Sequence, residues 1–211
     1  MLWRYERMAS AMGYQVVAGV DEVGMGPLAG PVVGGAVVLP IGIRIPGLDD
    51  SKLLNAEQRD RLDRCIRRRA IAVSVCAVDH AQVDSLGLLR ARHLATAGAV
   101  AGLKLRAEYL LVDAWDVPDA MIAQMAVVRG DRICASIMAA SIVAKVARDR
   151  AMIEYDKLYP GYGFAGHKGY GCKTHWEALS EHGPCSIHRV SFHGVVPETA
   201  ESLPLIDTAG V

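Results

Sequence analysis

No apolar run in this chain approaches the ~20 residues that a membrane-spanning helix needs, which argues against a membrane protein. Its first residues, Met1-Leu2-Trp3-Arg4-Tyr5-Glu6, also lack the charged-then-apolar order of a secretory signal. Cysteine is sparse: Cys65, Cys76, Cys134, Cys172 and Cys185 are odd in number, scattered, and without a CxxC pair. No disulfide framework is legible in that spacing, so a reducing, cytoplasmic setting is the expectation. Net charge is missing too, since Lys and Arg total 23 and Asp and Glu total 23. That balance excludes a polybasic, histone-like binder, but not an enzyme whose acid cluster offsets a basic surface elsewhere. Nor is there a repeat, a low-complexity tract or a clear interdomain linker. What remains is a globular composition, 52% hydrophobic and 22% charged over 211 residues. That is enough for one sizeable domain, or a domain with an appendage.

Short apolar runs bounded by turn residues predict strands at 16–20, 32–39, 71–78 and 109–112. Helical patterns over 55–69, 86–105, 133–158 and 173–182 lie between and after them. Asn55 is a plausible cap for the first, with Asp60–Arg64 and Asp63–Arg67 as pairs one turn apart. The glycine- and aromatic-rich segment 159–173 reads as a loop, and the tail after Val196 as loosely held. The pattern is α/β, with early strands close enough to pair antiparallel and later ones separated by helices.

The most informative stretch ends the first strand. Asp21 and Glu22 lead into the turn Val23-Gly24-Met25-Gly26-Pro27. Ionised carboxylates at the end of a buried strand are costly unless compensated, and a divalent cation compensates them well. Successive residues of a regular strand face opposite ways, so both acids reach one site only if Glu22 already lies in the turn. The competing reading is an ordinary surface turn with solvated acids. Asp113 ends the strand Tyr109-Leu110-Leu111-Val112, and strand ends of open α/β sheets are where ligands bind. Asp131 precedes the long helix, either as its N-cap or as a fourth ligand. Gathered together, Asp21, Glu22, Asp113 and Asp131 would make an oxygen-rich nest suited to Mg²⁺ or Mn²⁺ rather than zinc. Such a nest can hold two ions for in-line attack on a phosphodiester. From Arg129 to Lys173, eight Lys or Arg stand against four acids. That excess suits phosphate contacts or an ordinary solvated helix face.

Taken in order, several blocks resemble the ribonuclease HII family, the type 2 ribonucleases H of bacteria. They are Ala18-Gly19-Val20-Asp21-Glu22-Val23-Gly24-Met25-Gly26-Pro27-Leu28-Ala29-Gly30-Pro31, Asp50-Ser51-Lys52-Leu53, Leu111-Val112-Asp113 and the run from Ala139 to Asp149. His167-Lys168-Gly169-Tyr170-Gly171 and His188-Arg189-Val190-Ser191-Phe192 complete the series. The resemblance implies a ribonuclease H-like mixed β-sheet flanked by helices, with a C-terminal helical extension that helps hold the duplex. Mapped onto this chain, that is a single domain with a core at about 15–160, a substrate-clamping part at about 161–196 and a flexible tail 197–211. It implies hydrolysis of the RNA strand of RNA–DNA hybrids and cutting 5′ of single ribonucleotides in duplex DNA. Two ions, Mg²⁺ or Mn²⁺, would be held by Asp21, Glu22, Asp113 and Asp131, with Asp21 as the bridge. Backbone groups of Gly24, Met25 and Gly26 would read the ribose 2′-hydroxyl, and Tyr170 would pack on the sugar after the junction. Lys52, Lys145 and Lys168 are candidate phosphate contacts, and Asp149 is assigned to salt bridging. The enzyme is expected to act as a monomer.

One departure stands out: Met25 occupies a position where the family usually carries arginine, so one positive charge near the phosphate is missing. Three rival readings compete with this one. Gly24-Met25-Gly26-Pro27-Leu28-Ala29 fits a dinucleotide fingerprint formally, but a strand rather than a helix follows it. Cys172, His175, His182, Cys185 and His188 approach zinc-ligand spacing. A catalytically weak or silent nucleic-acid-binding protein of the same fold is the third, and it predicts a missing acid.

Overall fold

The hydrophobic runs assemble into one mixed sheet. In this computed structural model, which describes residues 2–48 and 54–196, the strands are β1 (Val17–Val23), β2 (Val32–Val38), β3 (Ala72–Val78), β4 (Tyr109–Asp113) and β5 (Ala123–Val127). Their order is β3-β2-β1-β4-β5. β1 pairs antiparallel with β2 through the short glycine turn, and β2 with β3 across a longer connection that carries a helix; β1 with β4 and β4 with β5 are parallel. The expected split between an antiparallel half and a parallel half is therefore present. β5 adds to the expected set, because Ala-Gln-Met-Ala-Val carries little apolar alternation and sits at the sheet edge.

Two helices cover opposite faces. α4 (Leu88–Ala101) buries Ala18, Val20, Ala36 and Val112 beneath Ala99 and Val100. α6 (Ala135–Leu158) packs Ala139, Ala140, Ile142 and Val143 against Val37 and Leu39, with α2 (Ala56–Arg69) outside through Leu62 and Ile66. Burying each such branched side chain contributes on the order of 1.5–3 kcal/mol. α6 lies so close to β1 that a Cβ on Gly19 would stand 2.1 Å from the Ser136 backbone, which only glycine allows.

Local chemistry sets the element ends. Asn55 caps α2 through a reciprocal pair with Gln58, as its sequence predicts. Asp63 pairs with Arg67 at 2.8 Å, whereas Asp60 bonds Arg150 of α6 at 2.7 Å. The helix expected over 86–105 is α4 alone, and α3 (His80–Leu86), parted from it by Gly87 at φ 81, is an additional element. Asp79 caps α3 with Gln82. α1 (Arg4–Ala11), α5 (Gly130–Ile133) and α7 (Phe164–His167) are short elements beyond those expected, and α8 (Lys173–His182) falls where its sequence places it. β1 runs three residues further than expected and takes Glu22 with it, paired opposite Gly34. Among the described residues, no helix is long and apolar enough to cross a membrane.

Candidate active site

β1 outruns its parallel neighbour. The β1–β4 pairing ends at Val20 opposite Val112, so Asp21 and Glu22 project past the ladder beside Asp113. This corrects the expectation that Glu22 must leave the strand to join Asp21. Both are in the strand, yet both line one depression of about 250 Å³ with Asp113, Ser141, Lys145, Tyr170 and the turn Val23–Gly26. At a strand end, the flank open beyond β4 gives side chains from either face access to the same space.

Asp21 is the buried centre of the group. Loss of water raises its carboxyl well above the usual carboxylate range, and the charges of Glu22 and Asp113 raise it further. A hydrogen bond from the Ser141 hydroxyl and one of 2.8 Å from the Glu22 amide oppose that rise. A carboxyl so destabilised as an anion favours a proton or a cation, and the surrounding donors are all hard oxygens, as Mg²⁺ or Mn²⁺ requires. Among the described residues, no three acid, histidine or cysteine side chains stand close enough to form a ready-made ion cluster.

Asp113 is fixed from the other side. Its Oδ1 accepts the Gly130 amide at 2.7 Å and the Asp131 amide at 3.4 Å, so the carboxylate sits at the start of α5. The chain then turns at Ala114, whose φ is 57. Asp131 is buried in the first turn of α5, beside Asp113 through its backbone but not among the cavity-lining residues. It is not the cap of the long helix: Arg129 precedes α5, and Cys134 precedes α6.

The glycine turn is held from behind by two buried arginines that the sequence did not single out. Arg189, 0% exposed, donates to the carbonyls of Gly24 at 2.7 Å, Met25 at 3.1 Å and Gly30 at 2.9 and 3.0 Å. Arg148 donates to Pro31 and Ala29 carbonyls, and to that of Lys168, at 3.0–3.1 Å. With Gly24 and Met25 carbonyls turned inward, none of the amides of Gly24, Met25 and Gly26 donates to a backbone carbonyl among the described residues. Gly24 adopts φ 91, and a Cβ there would meet Arg148 at 2.4 Å. Met25 packs its side chain against the apolar cluster of Val32, Val78, Val83 and Ala95.

Tyr170 stands across the cavity, its ring 4.0 Å from where a Gly26 Cβ would lie and 5.8 Å from the Arg148 guanidinium. Lys145 lines this cavity and a neighbouring one of about 440 Å³ that also contains Arg59, Arg150 and Lys168. Its amine bonds Asp149 at 2.6 Å, and Asp149 also meets Arg59 at 3.3 Å, which gives Asp149 its salt-bridging role. Lys168 donates to the Ala165 carbonyl. Lys52 lies outside the described residues, as does the tail 197–211. The zinc alternative does not assemble: His175 and His188 bond each other, while His182 lies against the Tyr162 ring.

A family model described as ribonuclease HII matches residues 18–195. Ribonuclease HII of Geobacter metallireducens is 50% identical over 199 residues, 94% of this chain and 93% of that protein. The crystal structure of ribonuclease H2 from Pyrococcus horikoshii superposes with a TM-score of 0.71 at 25% identity, covering 85% of this chain and 94% of the other. The Bst-RNase HIII structure in complex with Mn²⁺ shares the fold at a TM-score of 0.63 and 20% identity, covering 88% of this chain and 69% of the other.

Proposed function

The chain belongs to the ribonuclease HII family, and on that premise we propose which of its residues carry the activity. It is an endoribonuclease that hydrolyses the RNA strand of RNA–DNA hybrids and cuts 5′ of single ribonucleotides embedded in duplex DNA. Asp21, Glu22 and Asp113 hold divalent ions, with Asp131 completing the set from α5. One observation carries this assignment: a buried Asp21 carboxyl, raised by two other acids, at a strand end beside the glycine turn. The donor set fits two ions, Mg²⁺ or Mn²⁺, which when bound supply the Lewis acidity that activates water and stabilises the leaving oxygen.

The remaining groups bind and orient. Arg189 keeps the Gly24 and Met25 carbonyls turned away, which leaves the amides of Gly24, Met25 and Gly26 to meet the ribose 2′-hydroxyl and its phosphate. Tyr170 packs on the following sugar. Lys145 and Lys168, with Lys52, meet the backbone phosphates, and the part 161–196 clamps the duplex against the core 15–160. The enzyme acts as a monomer in the cytoplasm.

Cleavage of a DNA duplex carrying one ribonucleotide, beside an all-RNA hybrid and plain DNA, with Mg²⁺ and with Mn²⁺, tests this reading. The first two are cut and plain DNA is not. Asp113→Asn lowers kcat by at least about 10³-fold without unfolding the protein, consistent with loss of a metal ligand. Full activity in that variant defeats the site assignment, and a silent binding protein would cut none of the three.

A further inference from the structure

The Tyr170 carbonyl is gripped by a buried pair of histidines that the active-site chemistry does not use. His175, in the first turn of α8 and fully buried, places Nδ1 3.0 Å from that carbonyl oxygen. Its Nε2 lies 3.0 Å from Nε2 of His188, and Nδ1 of His188 lies 2.9 Å from the Cys185 amide. Proton positions follow from the last contact. A backbone amide only donates, so Nδ1 of His188 accepts and its proton sits on Nε2. That Nε2–H donates to Nε2 of His175, whose own proton then sits on Nδ1 and is donated to Tyr170. The opposite tautomer, which would serve the Cys185 carbonyl at 3.2 Å, would drive two N–H groups together at 2.9 Å.

The surroundings keep this arrangement neutral. His167 stacks on His175 with ring centres 4.4 Å apart, and its nitrogens meet the Gly169 amide and the Tyr162 carbonyl. Phe164 and Tyr162 close the sides, and Cys185 and His80 are the other titratable groups bearing on His188. Burial lowers both pair members, His188 to about 4, so neither ring charges near neutrality.

We propose that His175 and His188 are positioning residues for Tyr170, forming a directional hydrogen-bond wire that fixes the backbone from which its ring is presented to the substrate sugar. The wire ties Tyr170 to residues 185–188, whose neighbour Arg189 holds the glycine turn, so the two substrate-reading elements share one anchor. This inference rests on the reading of Tyr170 as a substrate contact.

Two substitutions separate the wire from mere packing. In His175→Asn the amide nitrogen takes the place of Nδ1 and keeps the bond to Tyr170, while the bond to His188 is lost. In His175→Gln the amide takes the place of Nε2 and keeps His188, while the bond to Tyr170 is lost. Steady-state cleavage of the single-ribonucleotide duplex should show KM raised about tenfold in the Gln variant, with kcat changed far less and the Asn variant several-fold closer to the parent. In a Tyr170→Ala background, His175→Gln should add nothing. Equal KM values for the Asn and Gln variants, or full additivity with Tyr170→Ala, overturn the inference alone. An unchanged KM in Tyr170→Ala by itself overturns the Tyr170 reading and the inference with it. Should a variant not fold, imidazole ¹⁵N spectra of the unaltered protein decide: His175 protonated on Nδ1 and His188 on Nε2 support the wire, and either opposite tautomer ends it.

Discussion

With Glu22 and Asp113 beside it and little water around it, the Asp21 carboxyl holds its proton more tightly in the folded chain than in the unfolded one. Stability from this residue is therefore fully present below the ordinary carboxylate range and is lost as pH rises through the raised folded value. Asn cannot ionise, so Asp21→Asn in chelator should be the more stable protein at pH 8 and nearly equal to the parent at pH 4, read as urea midpoints, while cleavage is abolished. A lower midpoint at pH 8 would contradict this. Met25 carries a second residue-scale prediction. Its apolar contacts on Val32 and Val78 are lost in Met25→Arg, so the midpoint falls slightly while hybrid binding tightens at low salt. The slope of log K against log salt should steepen by about 0.7–0.9, the value of one phosphate contact. An unchanged or weaker dissociation constant at fixed salt refutes it. Asp21, Glu22 and Asp113 were legible because each stands at the end of an apolar run. Arg148 and Arg189 were not, since their burial depends on carbonyls 117 and 159–165 residues away.

At the scale of elements, α6 shows how a helix without a local cap is started. Cys134 precedes it and makes no side-chain cap bond. Glu6, from α1, instead accepts from the Ser136 amide at 2.8 Å, the Ser136 hydroxyl at 2.9 Å and the Cys134 thiol at 3.1 Å. A negative charge at a helix start is favourable, and this helix carries Ser141, Lys145 and Arg148 to the site. Glu6→Ala should lower stability by about 2–3 kcal/mol, as for a buried charged hydrogen-bonding group, measured by urea unfolding. A loss under about 0.5 kcal/mol would show that α1 only covers the core. Periodicity found α2, α6 and α8, whose caps or apolar faces are local. It missed α1, because its role lies 130 residues away in sequence, and it missed α3, a short helix that buries Val83 alone between its Asp79 cap and Gly87. It also stopped β1 at Val20, since acids in a strand read as its end.

For the whole molecule, the C-terminal part is stitched to the glycine turn rather than to the sheet centre. Leu28 donates to the Gly169 carbonyl at 2.8 Å, Gly30 to Ile187 at 2.9 Å, and Arg189 returns to Leu28 at 2.8 Å. Behind that seam lie Phe164, Met152 and Ile187, with the His175–His188 pair buried beside them. Unfolded histidine takes up a proton near pH 6.5, whereas buried His188 does so at about 4. Stability from this residue is therefore present above pH 6.5 and lost as pH falls towards 4, the unfolded chain binding the extra proton throughout that window. The shift corresponds to about 3 kcal/mol. Because charging either ring puts two N–H groups face to face, the seam should open before the sheet does. Hydrogen exchange at pH 4.5 should therefore show amides of residues 161–196 exposed while those of β1 and β4 remain protected, with the difference gone at pH 7.5. Simultaneous exposure of both regions at pH 4.5 would mean that the C-terminal part and the sheet unfold as one cooperative unit, with His188 contributing to both alike.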